Sequence, residues 1–218
     1  MSTGYIVSII INIIFGILIF IRLYFKEPIN KWLLRTFTLE ADKKESKEEL
    51  FSKTTPKEGK MKILISYYSY SGITQEVVGI FREVLEKRAE LKIQRLKPKE
   101  EITSFVGQCL AARSKKRCEI EEAQFDASGY DTIIIGLPIW AFAPAPAINT
   151  YLDKVTGLAH KKLIVLITSG SGLGVKKCFQ YINNILSSKG VSMISEINIP
   201  NARMGDKNFI ISALEKIL

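Results

Sequence analysis

Two uninterrupted apolar runs are the feature that most restricts the fold of this chain. They read D-T-I-I-I-G at 131–136 and K-L-I-V-L-I-T at 162–168, and turn-forming residues bound each run. Such runs are typical of strands that are buried on both faces, which occur when helices cover a parallel sheet on both sides. The sequence therefore predicts an α/β fold.

The rest of the segment 61–218 supports this prediction, because strand-like and helix-like patterns alternate along it. The predicted elements are strands at 61–67, 91–96, 131–136, 162–168 and 191–199, and helices at 74–88, 175–188 and 206–218. The stretch 97–130 has no clear pattern beyond a helix near 102–112. Five strands that alternate with helices indicate a doubly wound, five-stranded parallel sheet.

Another apolar run lies near the N-terminus. Residues 5–21 carry no charge, and with the stretch to Phe25 they supply the roughly 20 residues that a bilayer core requires. We predict a transmembrane anchor at 1–28 rather than a cleaved signal peptide, because a basic start and a small-residue cleavage pattern are missing. Lys and Arg follow the run and none precedes it. The positive-inside rule therefore places the N-terminus outside and the rest of the chain in the cytoplasm.

Residues 29–60 are predicted to connect this anchor to the domain. The segment 29–37 has apolar residues on one helical face, so it either lies along the membrane surface or continues the membrane helix. The segment 40–60 is charged and almost free of aromatic residues, which favours a solvated linker. A short exposed helix over 40–51 is the alternative.

Composition limits the classes of function. The formal net charge of the chain is +9, with basic clusters at 113–117, 161–162 and 176–177. These clusters either contact anionic lipid or are ordinary solvated side chains. Because no aromatic or helix-turn-helix pattern accompanies the charge, we predict no nucleic-acid partner. The three cysteines are widely spaced without a C-x-x-C pair, so we predict reduced thiols and no metal site.

The loop after the first predicted strand has an unusual density of hydroxyl groups. It reads S-Y-S-G-I-T at 69–74 and leads into a helix. Ligands of open parallel sheets bind beyond the carboxyl ends of the strands, and this pattern favours an anion site there. A helix cap formed by Ser71 or Thr74 is the alternative. The loop matches neither a P-loop nor a dinucleotide-binding turn, so both of these phosphate motifs are excluded.

The loops after the third and fourth predicted strands complete a candidate site. The first reads G-L-P-I-W-A-F-A-P-A-P-A-I at 136–148, and its prolines favour a rigid Trp140 that stacks on a planar heterocycle. Packing of Trp140 or Phe142 onto the sheet edge is the alternative. The second reads T-S-G-S-G-L-G at 168–174, and its glycines would let the backbone approach a ligand closely.

These three motifs, in this order, resemble those of the flavodoxin family, and the resemblance covers residues 61–218. It implies a sheet with strand order 2-1-3-4-5, bound flavin mononucleotide (FMN) and no dedicated catalytic side chain. It implies that the FMN phosphate is held by Ser69, Tyr70, Ser71, Gly72, Ile73 and Thr74. The isoalloxazine ring would be lined by Pro138, Ile139, Trp140, Ala141 and Phe142. Its pyrimidine edge would be bordered by Ser169, Gly170, Ser171, Gly172 and Gly174.

The chain departs from the family pattern in two respects. Relatives often have Ala-Gly where this chain has Ala141–Phe142, and residues 137–147 contain no glycine. Small flavodoxins are also acidic, whereas residues 61–218 carry a formal net charge of +6.

The resemblance implies a redox protein that carries electrons between a reductase and an acceptor, and the predicted anchor at 1–28 attaches this protein to a membrane. The acceptor would be a partner protein or a small molecule such as a quinone. One alternative is an NAD(P)H-dependent quinone or FMN oxidoreductase, for which a position beside quinone-bearing lipid is suitable. A second alternative is a binding module without flavin.

Overall fold

The computed structural model describes residues 60–191 and 193–218. The predicted transmembrane anchor at 1–28 and the connecting segment up to residue 59 lie outside the described residues. Within the described part, no helix is both long and apolar enough to cross a bilayer.

A six-stranded sheet forms the centre of the described part. Its strands are β1 (Met61–Tyr67), β2 (Ala89–Arg95), β3 (Thr132–Trp140), β4 (Ala143–Pro144), β5 (Lys162–Ser169) and β6 (Met193–Pro200). Five strands are parallel, in the order β2-β1-β3-β5-β6, and β4 pairs antiparallel with the end of β3. The α/β parallel sheet is as predicted.

The sheet differs from the predicted five strands in the order 2-1-3-4-5, because β4 comes between the third and fourth long strands along the chain. A strand of two residues is too short to show a periodic pattern, so β4 could not be predicted from sequence. Strand β3 also continues to Trp140, four residues past its predicted end. Pro138, Ile139 and Trp140 therefore belong to a strand rather than to the predicted loop.

Helices cover both faces of the sheet. They are α1 (Ile73–Leu85), α2 (Phe105–Arg113), α3 (Pro146–Lys154), α4 (Val175–Ser187) and α5 (Lys207–Glu215), with a 3₁₀ turn at Asn201–Arg203. Helix α3 was not predicted, because the sequence around it resembles a proline-rich loop. Pro146 is its first residue, where a proline needs no amide hydrogen and already has a helical φ.

Two apolar cores lie on opposite faces of the sheet, which explains the uninterrupted apolar strands. Ile133 and Ile135 of β3 face the core that contains α3 and α4. Ile134, between them, faces the core that contains α1 and α5. Because successive strand side chains point to opposite faces, a strand covered on both sides is apolar at most positions, and its buried polar side chains, such as Thr168, are hydrogen-bonded.

Candidate functional site

The loop between β1 and α1 forms an open helix N-terminus. Gly72, the cap residue before α1, has a φ of +81°. As a glycine, it has no side chain that could accept a hydrogen bond from the first amides of the helix. The cap is instead supplied from Ser69, whose Oγ accepts a hydrogen bond from the Gln75 amide at 3.3 Å. The structure therefore does not show the alternative of a cap formed by Ser71 or Thr74. The Ser71 hydroxyl has no hydrogen-bond partner among the described residues.

Thr74 connects this loop to the end of β5. Its side chain is buried, and its Oγ1 lies 2.9 Å from Oγ1 of Thr168, so the two hydroxyls share a hydrogen bond. Thr168 Oγ1 also lies 3.4 Å from the Leu137 carbonyl oxygen. The first and third predicted loops are therefore in direct contact at the carboxyl edge of the sheet.

A cation that the sequence analysis missed lies against the first loop. Arg95, the last residue of β2, pairs with Tyr67 across the sheet, so it ends at the same edge as β1. Its Nη2 donates to the Ser69 carbonyl oxygen at 2.8 Å, and its Nη1 donates to Gln75 Oε1 at 3.4 Å. The only signal in the sequence was its position at a strand's carboxyl end.

Trp140 is half-buried in a group of aromatic rings. Its ring centroid lies 5.8 Å from that of Tyr68, 5.6 Å from that of Tyr70 and 6.5 Å from that of Phe105. All three pairs are close to perpendicular, an arrangement that aromatic quadrupoles favour. The indole thus packs on neighbouring rings in this structure, and through Tyr70 it joins the predicted phosphate loop to the predicted ring-binding segment.

Ala141 and Phe142 form the two-residue turn between β3 and β4. Their φ angles are +45° and +69°, so both residues adopt left-handed conformations, as two-residue hairpin turns commonly require. The Phe142 ring packs so closely on Gly174 that no Cβ could be added there. This contact joins the turn to the loop between β5 and α4.

The loop between β5 and α4 has a buried start and an exposed middle. Ser169 is buried and its hydroxyl donates to Asn198 Oδ1 at 3.0 Å. Gly170 and Ser171 are exposed, and Ser171 Oγ accepts from the Leu173 amide at 3.4 Å. Gly172 has a φ of +76° with open space where a Cβ would stand.

The segment before α2, which has no clear pattern in the sequence, covers the aromatic group. The Tyr68 hydroxyl donates to Glu101 Oε1 at 2.8 Å, and the Tyr70 hydroxyl donates to the Thr103 carbonyl oxygen at 2.7 Å. Gln108, itself buried, donates to Glu101 Oε1 and to the Ile102 carbonyl oxygen. Burial, reinforced by the Glu101 carboxylate, raises the pKa of Tyr68, so this phenol stays protonated and donates.

The structure therefore brings the three predicted loops together through pairwise contacts: Thr74 with Thr168, Tyr70 with Trp140, and Phe142 with Gly174. One side of the site offers amide and hydroxyl donors at a helix N-terminus beside the Arg95 guanidinium, a suitable environment for an anion. The other side offers aromatic and glycine surfaces for a flat ring.

Comparisons with known proteins place the chain in a family and identify structures with the same fold. The sequence model described as Flavodoxin matches residues 62–196. A "putative flavoprotein" from Bacteroides eggerthii has a crystal structure that is 20% identical in sequence, covers 72% of this chain and 97% of its own, and has a TM-score of 0.55. A second, from Bacteroides uniformis, is 19% identical, covers 72% and 99%, and has a TM-score of 0.55. No curated protein matches the sequence.

At such low identities, the two structural neighbours show only a shared fold. The family match is stronger evidence, because it covers more than half of the chain. It runs from β1 into β6 and includes all three candidate loops. This chain belongs to the flavodoxin family.

Proposed function

We propose that this protein binds FMN at the carboxyl edge of its sheet and carries electrons between a reductase and an acceptor. The observation that carries the proposal is the open N-terminus of α1, with its unpaired Ser71 hydroxyl, beside the half-buried Trp140. A flavin without phosphate has no anionic group for the N-terminus of α1 to bind, and an inorganic anion has no ring that could stack on Trp140.

The residues present fit the phosphate group of FMN. The first amides of α1 have no partner within the helix, and only that of Gln75 is taken by Ser69. A Cβ at Gly72 would meet nothing within 4 Å, so the space over the loop is open. The Arg95 guanidinium adds a positive charge beside the Ser69 carbonyl. Several donors directed at one dianion supply affinity without a dedicated binding lysine.

The residues present also fit a planar ring. Trp140, the β3–β4 turn and the exposed part of the loop after β5 border the same edge of the sheet. Bound FMN would supply the one- or two-electron chemistry itself. The chain would bind the ring, orient it through Trp140 and keep water from one side through Tyr70 and Phe105. Tyr68, held protonated, would act only as a hydrogen-bond donor to Glu101.

A comparison of two flavins tests the proposal. The full chain, purified in detergent, is titrated with FMN and with riboflavin while flavin fluorescence is followed. We expect FMN to bind at least about 100-fold more tightly, because two or more charge-assisted hydrogen bonds are lost with the phosphate. Ser71→Ala should reduce this ratio by about tenfold and leave riboflavin affinity unchanged. Ser212→Ala, on the exposed surface of α5, is the matched control.

Equal affinity for the two flavins would contradict the phosphate site, and failure to bind either would leave a binding module without flavin. Steady-state NAD(P)H oxidation with a soluble quinone separates the remaining functions. A carrier should show turnover only after a reductase is added. Rapid turnover by the chain alone would instead identify an NAD(P)H-dependent oxidoreductase.

We also propose that the domain is tethered to a membrane by residues 1–28, with the N-terminus outside and the domain in the cytoplasm. The support is the uncharged run at 5–21 and the cations that follow it. Protease added to sealed right-side-out vesicles should leave residues 60–218 intact until the vesicles are opened. Release of the protein by alkaline carbonate would contradict the anchor.

A further inference from the structure

Helix α2 exposes its large apolar side chains and buries a glutamine, which is the reverse of what surface helices usually do. Its inward residues are Gln108, Ala111 and Ala112, all buried. Its outward residues include Val106 and Leu110, which are 65% and 61% exposed. Large apolar residues one turn apart normally face the core, so this outer face matches a less polar environment than water.

Phe105, the first residue of α2, and Ile102, three residues before it, extend the exposed apolar surface. Phe105 is 40% exposed and Ile102 is 37% exposed. Ile102 is held against the helix at Gly107, where an added Cβ would lie only 2.9 Å from Ile102 Cγ2. Together, Ile102, Phe105, Val106 and Leu110 form the α2 apolar surface.

A group of cations follows this surface directly. Residues 105–117 contain four Lys or Arg and no Asp or Glu. Arg117 pairs with Asp153 at 2.7 Å, and Lys115 lies over the Tyr181 ring at 4.4 Å. Arg113 and Lys116 have no ion pair within the described part of the chain. At least two positive charges therefore remain available beside the α2 apolar surface.

We propose that α2 docks on an anionic lipid bilayer, with the α2 apolar surface entering the headgroup region and Arg113 and Lys116 contacting lipid phosphates. Apolar side chains bordered by cations are the combination that holds helices at anionic membrane surfaces. A second copy of the chain is a poorer occupant, because a symmetric contact through α2 would bring two acid-free, four-cation segments together. An acidic protein would match both features only if it also carried an apolar groove for Val106 and Leu110, whereas an anionic bilayer supplies negative charge and an apolar layer over its whole surface.

This docking does not require bound flavin, but it would change the surroundings of the candidate functional site. Phe105 belongs to the α2 apolar surface and also contacts Trp140 at 6.5 Å between ring centroids. A docked α2 would therefore bring the aromatic side of the candidate site to the lipid surface. Acceptors dissolved in the bilayer would then be within reach.

Hydrogen–deuterium exchange of the full chain in lipid nanodiscs tests the docking. The lipids are phosphatidylcholine alone, or phosphatidylcholine with about one third phosphatidylglycerol. We expect amides of α2 to exchange roughly tenfold more slowly in the anionic discs, and high salt to reverse part of this protection. Val106→Ser combined with Leu110→Ser should abolish it. Met193→Ser, which removes a 60% exposed methionine from β6, should leave it unchanged.

Arg113→Gln combined with Lys116→Gln should remove the dependence on phosphatidylglycerol. Circular dichroism spectra of the variants check that all of them remain folded. Equal exchange of α2 in both kinds of disc overturns the proposal, as does protection that survives the double serine change. An excess of FMN is added to the same samples, free FMN is removed by gel filtration, and the flavin absorbance that remains is recorded. Protected α2 without flavin would support docking while refuting FMN binding, and the converse would refute docking alone.

Discussion

The turn between β3 and β4 holds two consecutive residues other than glycine at positive φ. A left-handed conformation costs an L-residue about 1–2 kcal/mol, because Cβ approaches the neighbouring carbonyl oxygen. Phe142 offsets part of that cost through its contact with Gly174, whereas Ala141 is exposed. The family resemblance marked this position from sequence, since relatives often have glycine where Phe142 stands.

Replacement of Ala141 by glycine should therefore stabilise the protein. We expect Ala141→Gly to raise the free energy of unfolding by about 0.5–1 kcal/mol, which is the relieved strain minus the larger entropy of the unfolded glycine chain. Urea denaturation measures the change. Ala202→Gly, at an exposed position without a positive φ, should lower the stability by a similar amount. A loss of stability in both variants would mean that Ala141 is not strained.

Gly174 should tolerate no side chain. Its φ of +78° disfavours alanine, and the added methyl group would collide with the Phe142 ring. We expect Gly174→Ala to destabilise the protein by about 2–3 kcal/mol in urea denaturation. Gly172→Ala is the matched control, because it has a similar φ of +76° and open space at Cβ, so about 1 kcal/mol is expected. Equal losses would show that Phe142 does not press on Gly174.

Among the elements, the segment before α2 is held in place by tertiary contacts and has no periodic sequence pattern of its own. Its hydrogen bonds go to Tyr68 and Tyr70 of the first loop and to buried Gln108. Partners more than 30 residues away leave no trace in local periodicity, which is why this stretch could not be assigned from sequence. Helix α3 was missed for another reason, since its starting proline looks the same in a loop and at a helix N-terminus.

The contact between Tyr68 and Glu101 should make stability sensitive to alkaline pH. The raised pKa of Tyr68 means that the folded protein keeps the phenol protonated, whereas the unfolded chain ionises it at about pH 10. Its contribution is therefore complete below about pH 10 and falls as the pH rises further. Tyr68→Phe should cost about 1–2 kcal/mol at neutral pH and reduce the further loss on going to about pH 11.

Urea denaturation of wild type and variant at several pH values measures this difference. Tyr70→Phe serves as the control. Tyr70 is more exposed than Tyr68, and the partial burial of its phenol is the main cause of its raised pKa. Parallel pH profiles for wild type and Tyr68→Phe would contradict the assignment.

At the scale of the described domain, residues 60–191 and 193–218, stability depends on two cores that the sheet separates. Helix α5 closes one of them with Ile210 and Leu214, both fully buried. Arg88, in the turn after α1, adds an ion pair with Glu215 through two hydrogen bonds, at 2.9 and 2.8 Å. Because this pair is exposed, it should contribute little, and the apolar packing of α5 should contribute most of the stability at this face.

Leu214→Ala should lower the free energy of unfolding by about 2–4 kcal/mol, because it leaves a cavity between α5 and the sheet. Leu218→Ala, which truncates a leucine that is 38% exposed, should cost less than about 1 kcal/mol. Calorimetric unfolding of both variants tests this. Similar small effects would mean that α5 does not contribute to the folding of the domain.

The sequence alone determined the α/β class, the parallel strands and the approximate limits of four helices. This was possible because burial on two faces requires apolar residues throughout a strand, and one-sided burial requires a helical period. It also identified the loops after β1 and β5, where glycines and hydroxyls collect, and the segment around Trp140, which its prolines marked although Pro138–Trp140 belong to β3. Only the tertiary structure decided which groups meet: Arg95 with the first loop, Phe142 with Gly174, and Glu101 with Tyr68. Such contacts depend on how distant elements are placed in space, and a pattern of neighbouring residues carries no information about that.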